Sequence, residues 1–323
     1  MQTQSCRRAQ ALFLTRSHRP GSRPTPQTRG TGCNDGASGE KFLQACFDGS
    51  AVLFLASATA ARLTFFPPLR PGPALPPTMK PKPLPSPSPV ALVTGAGSGV
   101  GRAVALRFAA EGWHVALVGR RADALAATIA LAPAAGRRRL TAFACDIGDH
   151  AAVQKMSAAV LARFGRVDAF VNAAGTNTPR RSWSELPLAA YHELMGANLH
   201  GPFHCVQALL PAMRARGTGT FVFINSEAGL KASPKAGVAY VASKFGLTGL
   251  AQSLNAEERP HGLRACSIFP GDIDTDLLNK RPTPPPPEAR AKMMRPEDVA
   301  ACVWLAVSLP QRAVIEELLV RPL

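Results

Sequence analysis

The chain has 323 residues, 46% hydrophobic and 18% charged, which suits one large globular domain and excludes disorder throughout. Its formal net charge is +16, but aromatic residues make up only 6% and none alternate with basic residues along a helix, so we expect no nucleic-acid partner. The seven cysteines form no CxxC pair, which excludes the usual zinc-site spacing and is typical of thiols in a reducing compartment. We therefore expect no metal.

Residues 1–88 differ in composition from the rest, being crowded with Pro, Arg, Ser, Thr and Gly. We expect an irregular, disordered extension, because such a segment buries too little apolar surface to offset its ordering entropy. Residues 1–78 of it are either an organelle transit peptide or, as we favour, a stretch that is not normally translated, with Met79 as the native start. We accordingly expect a cytoplasmic protein, or an organelle-targeted one under the first alternative. The most apolar run of the extension, residues 51–61, is too short to span a membrane, and we expect no membrane association.

From Val90 onward, short apolar runs alternate with stretches of helical periodicity. The predicted strands are residues 90–94, 115–118, 140–145, 167–172, 220–225, 264–269 and 313–320. The predicted helices are residues 102–111, 122–131, 151–164, 188–214 (broken near Gly201-Pro202), 238–259 and 296–307. This alternation predicts an α/β fold for residues 89–323: a single-domain, Rossmann-type, doubly wound parallel sheet of about seven strands with helices on both faces. Ligands bind such sheets at the carboxyl ends of the strands.

A glycine-rich turn follows the first predicted strand and opens the first helix, with the sequence Thr94-Gly95-Ala96-Gly97-Ser98-Gly99-Val100-Gly101. Glycines allow a pyrophosphate to approach the backbone, and the helix N-terminus offers free N–H groups to the anion. In this setting the turn predicts nucleotide binding, although a purely structural turn would also use glycine.

The second predicted strand ends in Gly119-Arg120-Arg121, where NAD-binding proteins have an acidic residue for the ribose 2′-hydroxyl. An arginine can instead form charge-assisted hydrogen bonds to a 2′-phosphate. We therefore predict NADP(H) rather than NAD. The alternative is that Arg120 and Arg121 merely begin a surface helix.

Tyr240 and Lys244 are four residues apart on a predicted helix, so their side chains share one face. A nearby ammonium favours the phenolate, and we expect Lys244 to lower the pKa of Tyr240. A surface Tyr–Lys pair would have the same spacing. Further motifs favour a functional role for the pair over a surface one. They are Asn198 within a helix and, at strand ends, Asp146-Ile147, Asn172-Ala173-Ala174-Gly175, Ser226 and Pro270-Gly271-Asp272-Ile273-Asp274-Thr275.

Taken together, these motifs resemble the single-domain, NADP-preferring branch of the short-chain dehydrogenase/reductase family, from about Val90 to the C-terminus. The resemblance implies hydride transfer between NADP(H) and a small carbonyl/secondary-alcohol pair. It implies that Tyr240 is the general acid or base, that Lys244 holds the nicotinamide ribose, that Ser226 hydrogen-bonds the substrate oxygen, and that Asn198 holds a water in the proton relay. It also implies a homodimer or homotetramer.

The same resemblance assigns cofactor contacts, with Asp146 at the adenine edge and Ile273 and Thr275 at the carboxamide. The full set is Thr94, Gly95, Ser98, Gly99, Val100, Gly101, Arg120, Arg121, Asp146, Ile147, Asn172, Ala173, Ala174, Gly175, Tyr240, Lys244, Pro270, Gly271, Ile273 and Thr275.

The sequence departs from the family pattern in two places near the site. Ala173 replaces a second Asn, and Asn225 stands where a second Ser is common, so we take Ser226 as the catalytic serine. A second hypothesis is a catalytically silent NADP(H)-binding sensor of the same fold, since fold does not imply function. The intact set of Asn198, Ser226, Tyr240 and Lys244 favours the enzyme, because cofactor binding alone does not need all four.

Overall fold

The computed structural model describes residues 88–323. The expectation of an irregular extension over residues 1–88 lies almost wholly outside this range and stays a prediction. No helix in the described range is both long enough and apolar enough to cross a membrane.

Seven strands form one sheet in the order β3-β2-β1-β4-β5-β6-β7, and every pairing is parallel. The doubly wound fold predicted from the sequence is thereby confirmed. The strands are β1 (Val90–Thr94), β2 (His114–Gly119), β3 (Leu140–Ala144), β4 (Ala169–Asn172), β5 (Gly219–Ile224), β6 (Leu263–Pro270) and β7 (Glu317–Val320).

Helices cover both faces of the sheet. They are α1 (Gly99–Ala110), α2 (Ala122–Leu131), α3 (Ala134–Arg137), α4 (His150–Phe164), α5 (Leu188–Met195), α6 (Gly201–Arg216), α7 (Val238–Glu258), α8 (Pro287–Arg290) and α9 (Pro296–Ser308). Alternate strand residues point to opposite faces. Val93 therefore packs in a core with α1, α2 and α9, whereas its neighbour Leu92 packs in a second core with α4, α6 and α7. Because both faces are buried, the central strands are apolar except for buried polar residues such as Thr94 and Asn172 at their carboxyl ends.

The long predicted helix over residues 188–214 is not broken at Gly201-Pro202. Instead, α5 continues into α6 through a π-helical turn, Gly196–His200. Pro202 has no N–H to give to the carbonyl four residues back. The chain widens there, and Gly201 N–H donates to Gly196 O, five residues back. The wider turn carries Asn198 into the interior.

The last strand begins at Glu317, later than the predicted residue 313. The preceding residues form a turn in which Ala313 N donates to Pro310 O (2.9 Å). The buried guanidinium of Arg264 donates to the carbonyls of both residues. With their carbonyls turned toward an arginine, these residues are not available for sheet pairing.

Asp168, just before β4, joins three segments at the amino ends of the strands. Its carboxylate accepts hydrogen bonds from Val90 N (2.8 Å), Arg166 Nε (2.8 Å) and the Arg216 guanidinium (2.6 Å). Burial acts to raise the pKa of Asp168, but these hydrogen bonds outweigh it and hold the pKa below its usual value. The charged carboxylate therefore stabilises the junction of β1, β4 and α6.

We expect Asp168→Asn to lower the free energy of unfolding at pH 7 by about 1–3 kcal/mol, since hydrogen bonds to a charged group are lost. A depressed carboxyl pKa stabilises the fold above the unfolded-state pKa and ceases to do so as the pH falls through the folded-state value. The difference in the free energy of unfolding between the wild-type protein and Asp168→Asn should thus shrink below about pH 4. Urea unfolding between pH 3 and 8 measures it, with the exposed Glu257→Gln as control. An advantage independent of pH would contradict the role of the charge.

Candidate active site

A cavity of about 620 Å³ opens at the carboxyl ends of the strands, between the segments that follow β1, β4, β5 and β6. It brings together most of the residues predicted from the sequence. Those that line it are Gly95, Ser98, Gly99, Val100, Ala173, Ala174, Gly175, Ser226, Tyr240, Lys244, Pro270, Gly271, Ile273 and Thr275.

The glycine-rich turn between β1 and α1 needs its glycines for close backbone approach. Gly95 has φ +66°, and a Cβ there would lie 2.8 Å from backbone atoms of Ala173 and Ala174. A Cβ on Gly101 would strike the carbonyl oxygen of Gly95. The turn is therefore packed directly on the segment after β4, with no room for side chains between them.

Thr94 connects the same two segments through its side chain. Its Oγ1 donates to Asn172 Oδ1 (3.0 Å) and accepts from Ala174 N (3.2 Å). Thr94 and Asn172 are fully buried and do not line the cavity, so they position the residues that do. The amide nitrogen of Asn172 is buried and has no partner among the described residues.

The N-terminus of α1 faces the cavity without a cap. The Ser98 side chain makes no capping hydrogen bond, and the first turn contains no acidic residue. The first N–H groups of an α-helix have no partner within the helix, and the helix dipole adds positive charge there. Together with the glycine turn, this end of the cavity is suited to an anion such as a pyrophosphate.

Tyr240 lies on the first turn of α7 and Ser226 is the second residue after β5; both side chains line the cavity, and the Ser226 hydroxyl acts to lower the pKa of Tyr240. Ser226 Oγ also accepts from Ala228 N (3.2 Å), which orients it. Neighbouring Asn225 turns away, donating from Nδ2 to Thr248 Oγ1 on α7 (2.9 Å). Of the two adjacent polar residues, Ser226 is thus the one whose side chain influences the tyrosine.

Lys244 is buried beneath Tyr240, with Nζ 5.5 Å from the centre of the tyrosine ring. It donates a hydrogen bond to Ile224 O at the end of β5 (2.9 Å). Burial lowers the pKa of Lys244 to about 8. The ammonium is held in place by the sheet, and its lowered pKa means that it gives up its proton more readily than an exposed lysine does.

The expected lowering of the Tyr240 pKa is not present in the protein alone. Burial raises the pKa of Tyr240, and this outweighs the lowering effects of the Ser226 hydroxyl and of the positive charges of Arg181 and Arg281. The sequence shows which charges are near in the chain, but desolvation depends on how deeply the phenol is packed.

Asn198, in the π-helical turn, lies behind the cavity wall. Its Oδ1 accepts from Thr176 N (2.8 Å), and its Nδ2 donates to Thr176 O (2.9 Å) and Ser243 Oγ (3.2 Å). Both amide hydrogens are used, so the side chain positions the segment after β4 against α7. The predicted water-holding role of Asn198 remains a prediction.

Seven predicted cofactor residues lie outside the cavity lining: the buried Thr94, Gly101 and Asn172, and four residues that follow β2 and β3. Arg120 and Arg121 are exposed at the end of β2. Asp146 is exposed and accepts from Gly148 N (2.9 Å), closing its own turn. The Ile147 side chain is buried against Gly201, where a Cβ would be only 2.5 Å from it, so it packs in the core.

Sequence reasoning missed several charged residues of the cavity, among them Arg181, Lys235 and Arg281. They lie in loops, and no spacing or motif connects them along the chain. Within residues 88–323, no group of three or more His, Cys, Asp or Glu side chains is placed to hold a metal ion.

Comparison with known proteins agrees with this arrangement. A sequence model described as short chain dehydrogenase matches residues 89–285. The chain belongs to the short-chain dehydrogenase/reductase family. It is thus a relative of oxidoreductases that act on alcohol and carbonyl groups.

This short-chain dehydrogenase/reductase is 34% identical over 229 residues to a sepiapterin reductase of Chlorobaculum tepidum, covering 69% of this chain and 91% of that protein. Among solved structures, it resembles an alcohol dehydrogenase of the archaeon Thermococcus sibiricus complexed with 5-hydroxy-NADP (28% identity, TM-score 0.63, covering 72% and 95% of the two chains). It also resembles a metagenomic short-chain oxidoreductase in complex with NADP (31% identity, TM-score 0.61, covering 73% and 97%).

We expect Thr94→Val to lower the free energy of unfolding by about 1–3 kcal/mol, because the similar shape is kept while a buried donor and a buried acceptor lose their partner. Urea unfolding measures this, and Thr141→Val on β3 serves as the control. An unchanged stability would show that Thr94 does not connect β1 to the segment after β4.

Proposed function

We propose that the protein is an NADP(H)-dependent oxidoreductase that interconverts a carbonyl and a secondary alcohol, with Tyr240 as general acid and base. One observation carries the proposal. Ser226, Tyr240 and Lys244 meet on the wall of the same cavity that ends at the uncapped N-terminus of α1. A proton donor and an anion site are thus combined in one cleft.

The residues present fit a dinucleotide. Gly95, Gly99 and the first turn of α1 would hold the pyrophosphate, since no side chain or cap competes for their N–H groups. Arg120 and Arg121 would pair with a 2′-phosphate. When bound, NADP(H) would supply or accept the hydride. Two similar solved structures contain NADP or 5-hydroxy-NADP, which supports this choice of cofactor.

The raised pKa of Tyr240 keeps the phenol protonated at neutral pH. It would therefore serve as the acid when a carbonyl is reduced, donating its proton to the substrate oxygen. Ser226 would hydrogen-bond the same oxygen. The ammonium of Lys244 would stabilise the phenolate that remains, and the hydrogen bond to Ile224 O fixes its position.

We further propose that the protein forms a homodimer or homotetramer. Phe203 on α6 and Phe245 on α7 are both 46% exposed, although they are large and apolar. Such side chains on two neighbouring long helices are the kind of surface that a second copy would cover.

We expect Tyr240→Phe to lower the turnover of NADPH with a reducible carbonyl by about 100- to 10,000-fold, the usual contribution of general acid catalysis. NADPH affinity should change little, because the ring remains. Steady-state absorbance on a broad carbonyl panel and fluorescence titration measure the two quantities. Tyr191→Phe is the matched control, since the chain has only two tyrosines.

Wild-type turnover by Tyr240→Phe would contradict the proposed mechanism. Tight NADPH binding by the wild-type protein with no turnover of any carbonyl would instead favour the alternative, a cofactor-binding sensor of the same fold.

We expect the double variant Arg120→Ala, Arg121→Ala to bind NADPH about 10- to 100-fold more weakly, because the charge-assisted hydrogen bonds to the 2′-phosphate are lost. NADH binding should stay within about threefold, because NADH has no 2′-phosphate for the arginines to pair with. The exposed Arg138→Ala is the control. Equal affinity of the wild-type protein for NADPH and NADH, or a preference for NADH, would refute the NADP assignment.

A further inference from the structure

Arg181, in the loop between β4 and α5, has a buried guanidinium, with only 7% of the residue exposed. It donates to three backbone carbonyls: Nε to Thr178 O (2.8 Å), Nη1 to Lys235 O (2.9 Å) and Nη2 to Lys280 O (2.6 Å). Within residues 88–323, no carboxylate lies at ion-pair distance from it.

A buried charge without a counter-ion is costly. Carbonyls supply hydrogen-bond acceptors but no negative charge, and they use three of the five N–H groups of the guanidinium. Arg181 also lines the cavity. A cation with donors to spare is thus kept at the wall of the site.

Arg281 contributes a second guanidinium from the segment after β6. It donates to Asp272 Oδ1 (2.5 Å), and the other oxygen of Asp272 accepts from Lys235 Nζ (2.9 Å). One carboxylate is therefore shared by two cations and does not neutralise both. Arg181, Arg281 and Tyr240 line the same cavity, and the charges of both arginines act to lower the pKa of Tyr240.

Counted over residues 88–323, the cavity has the same excess of positive charge, since six cationic side chains line it against three carboxylates, of which Glu227 pairs with Arg321 and Asp272 with two of the others. Apart from Lys244, the cations belong to the segments after β4, β5, β6 and β7, whereas the predicted pyrophosphate site follows β1. The excess positive charge is therefore not explained by the pyrophosphate. It surrounds the part of the cavity left for the substrate.

We propose that this part of the cavity binds a hydroxy acid or oxo acid, whose carboxylate pairs with Arg181 and Arg281 while its oxygen reaches Tyr240. The inference rests on the proposed function, because it takes Tyr240 as the proton donor. In the reduction, the carbonyl carbon gains a hydride from NADPH and its oxygen gains the Tyr240 proton. The carboxylate is unchanged and serves only for binding and orientation.

The test compares acids with neutral isosteres on the full chain saturated with NADP⁺. Calorimetry measures the dissociation constants of 2-, 3- and 4-hydroxypentanoate and of the three corresponding amides. We expect at least one acid to bind about tenfold or more tightly than its amide, since hydrogen bonds between two charged groups are the stronger kind. If no acid is preferred, the inference is wrong.

The variants Arg281→Met and Arg181→Met separate charge recognition from loop support. We expect each to reduce the preference for the acid to less than about threefold, and the exposed Arg312→Met to leave it unchanged. If the two arginines only supported the loops, each substitution would weaken the binding of acid and amide equally. A preference for the acid that is preserved in both variants would therefore overturn the inference. If Arg181→Met does not fold, Arg281→Met decides, because Lys235 still neutralises Asp272 there.

Turnover of neutral ketones by the same protein tests the proposed function separately. Reduction of neutral ketones without any preference for acids would refute the anion site and leave the reductase proposal intact. A preference for acids without turnover of any carbonyl, oxo acids included, would support the anion site and contradict the reductase proposal.

Discussion

Parallel pairing of all seven strands is the constraint on which the rest of this structure depends. Every strand ends at the same edge, so the segments that follow β1, β4, β5 and β6 must meet there. The close contact between the glycine turn and the segment after β4 follows from this convergence. So does the meeting of Ser226 with Tyr240, since one follows a strand and the other lies on the next helix. The amino edge is held by Asp168, far from the site.

Burial sets the electrostatics of the site more strongly than sequence proximity does. It raises the pKa of Tyr240 and lowers the pKa of Lys244 to about 8, so both groups are displaced toward their neutral forms. The charges that oppose this at the tyrosine belong to Arg181 and Arg281, which come from two different loops. In this arrangement the same two guanidiniums that would bind a substrate carboxylate also favour the phenolate left after proton transfer.

The differences between sequence prediction and structure have local physical causes. Pro202 predicts a break, but a proline at that position only requires that one hydrogen bond be re-routed, and the π-helical turn does so without ending the helix. The predicted strand does not begin at Ala313, because the carbonyl of Ala313 accepts a hydrogen bond from Arg264. Ile147 reads as part of a cofactor motif, yet its side chain fills the space left by Gly201. In each case the deciding partner is distant in the chain.

The sequence by itself determined the fold class, the position of nearly every strand and helix, and the set formed by the glycine turn, Ser226, Tyr240 and Lys244. These features depend on periodicity, strand-end position and short spacing, and each of these patterns lies within a short stretch of the sequence. The tertiary structure alone decided that Asn198 positions a loop, that burial raises the pKa of Tyr240, and that Arg181 and Arg281 line the same cavity as Tyr240. Burial and the meeting of separate loops depend on packing over the whole domain, and no local pattern encodes them.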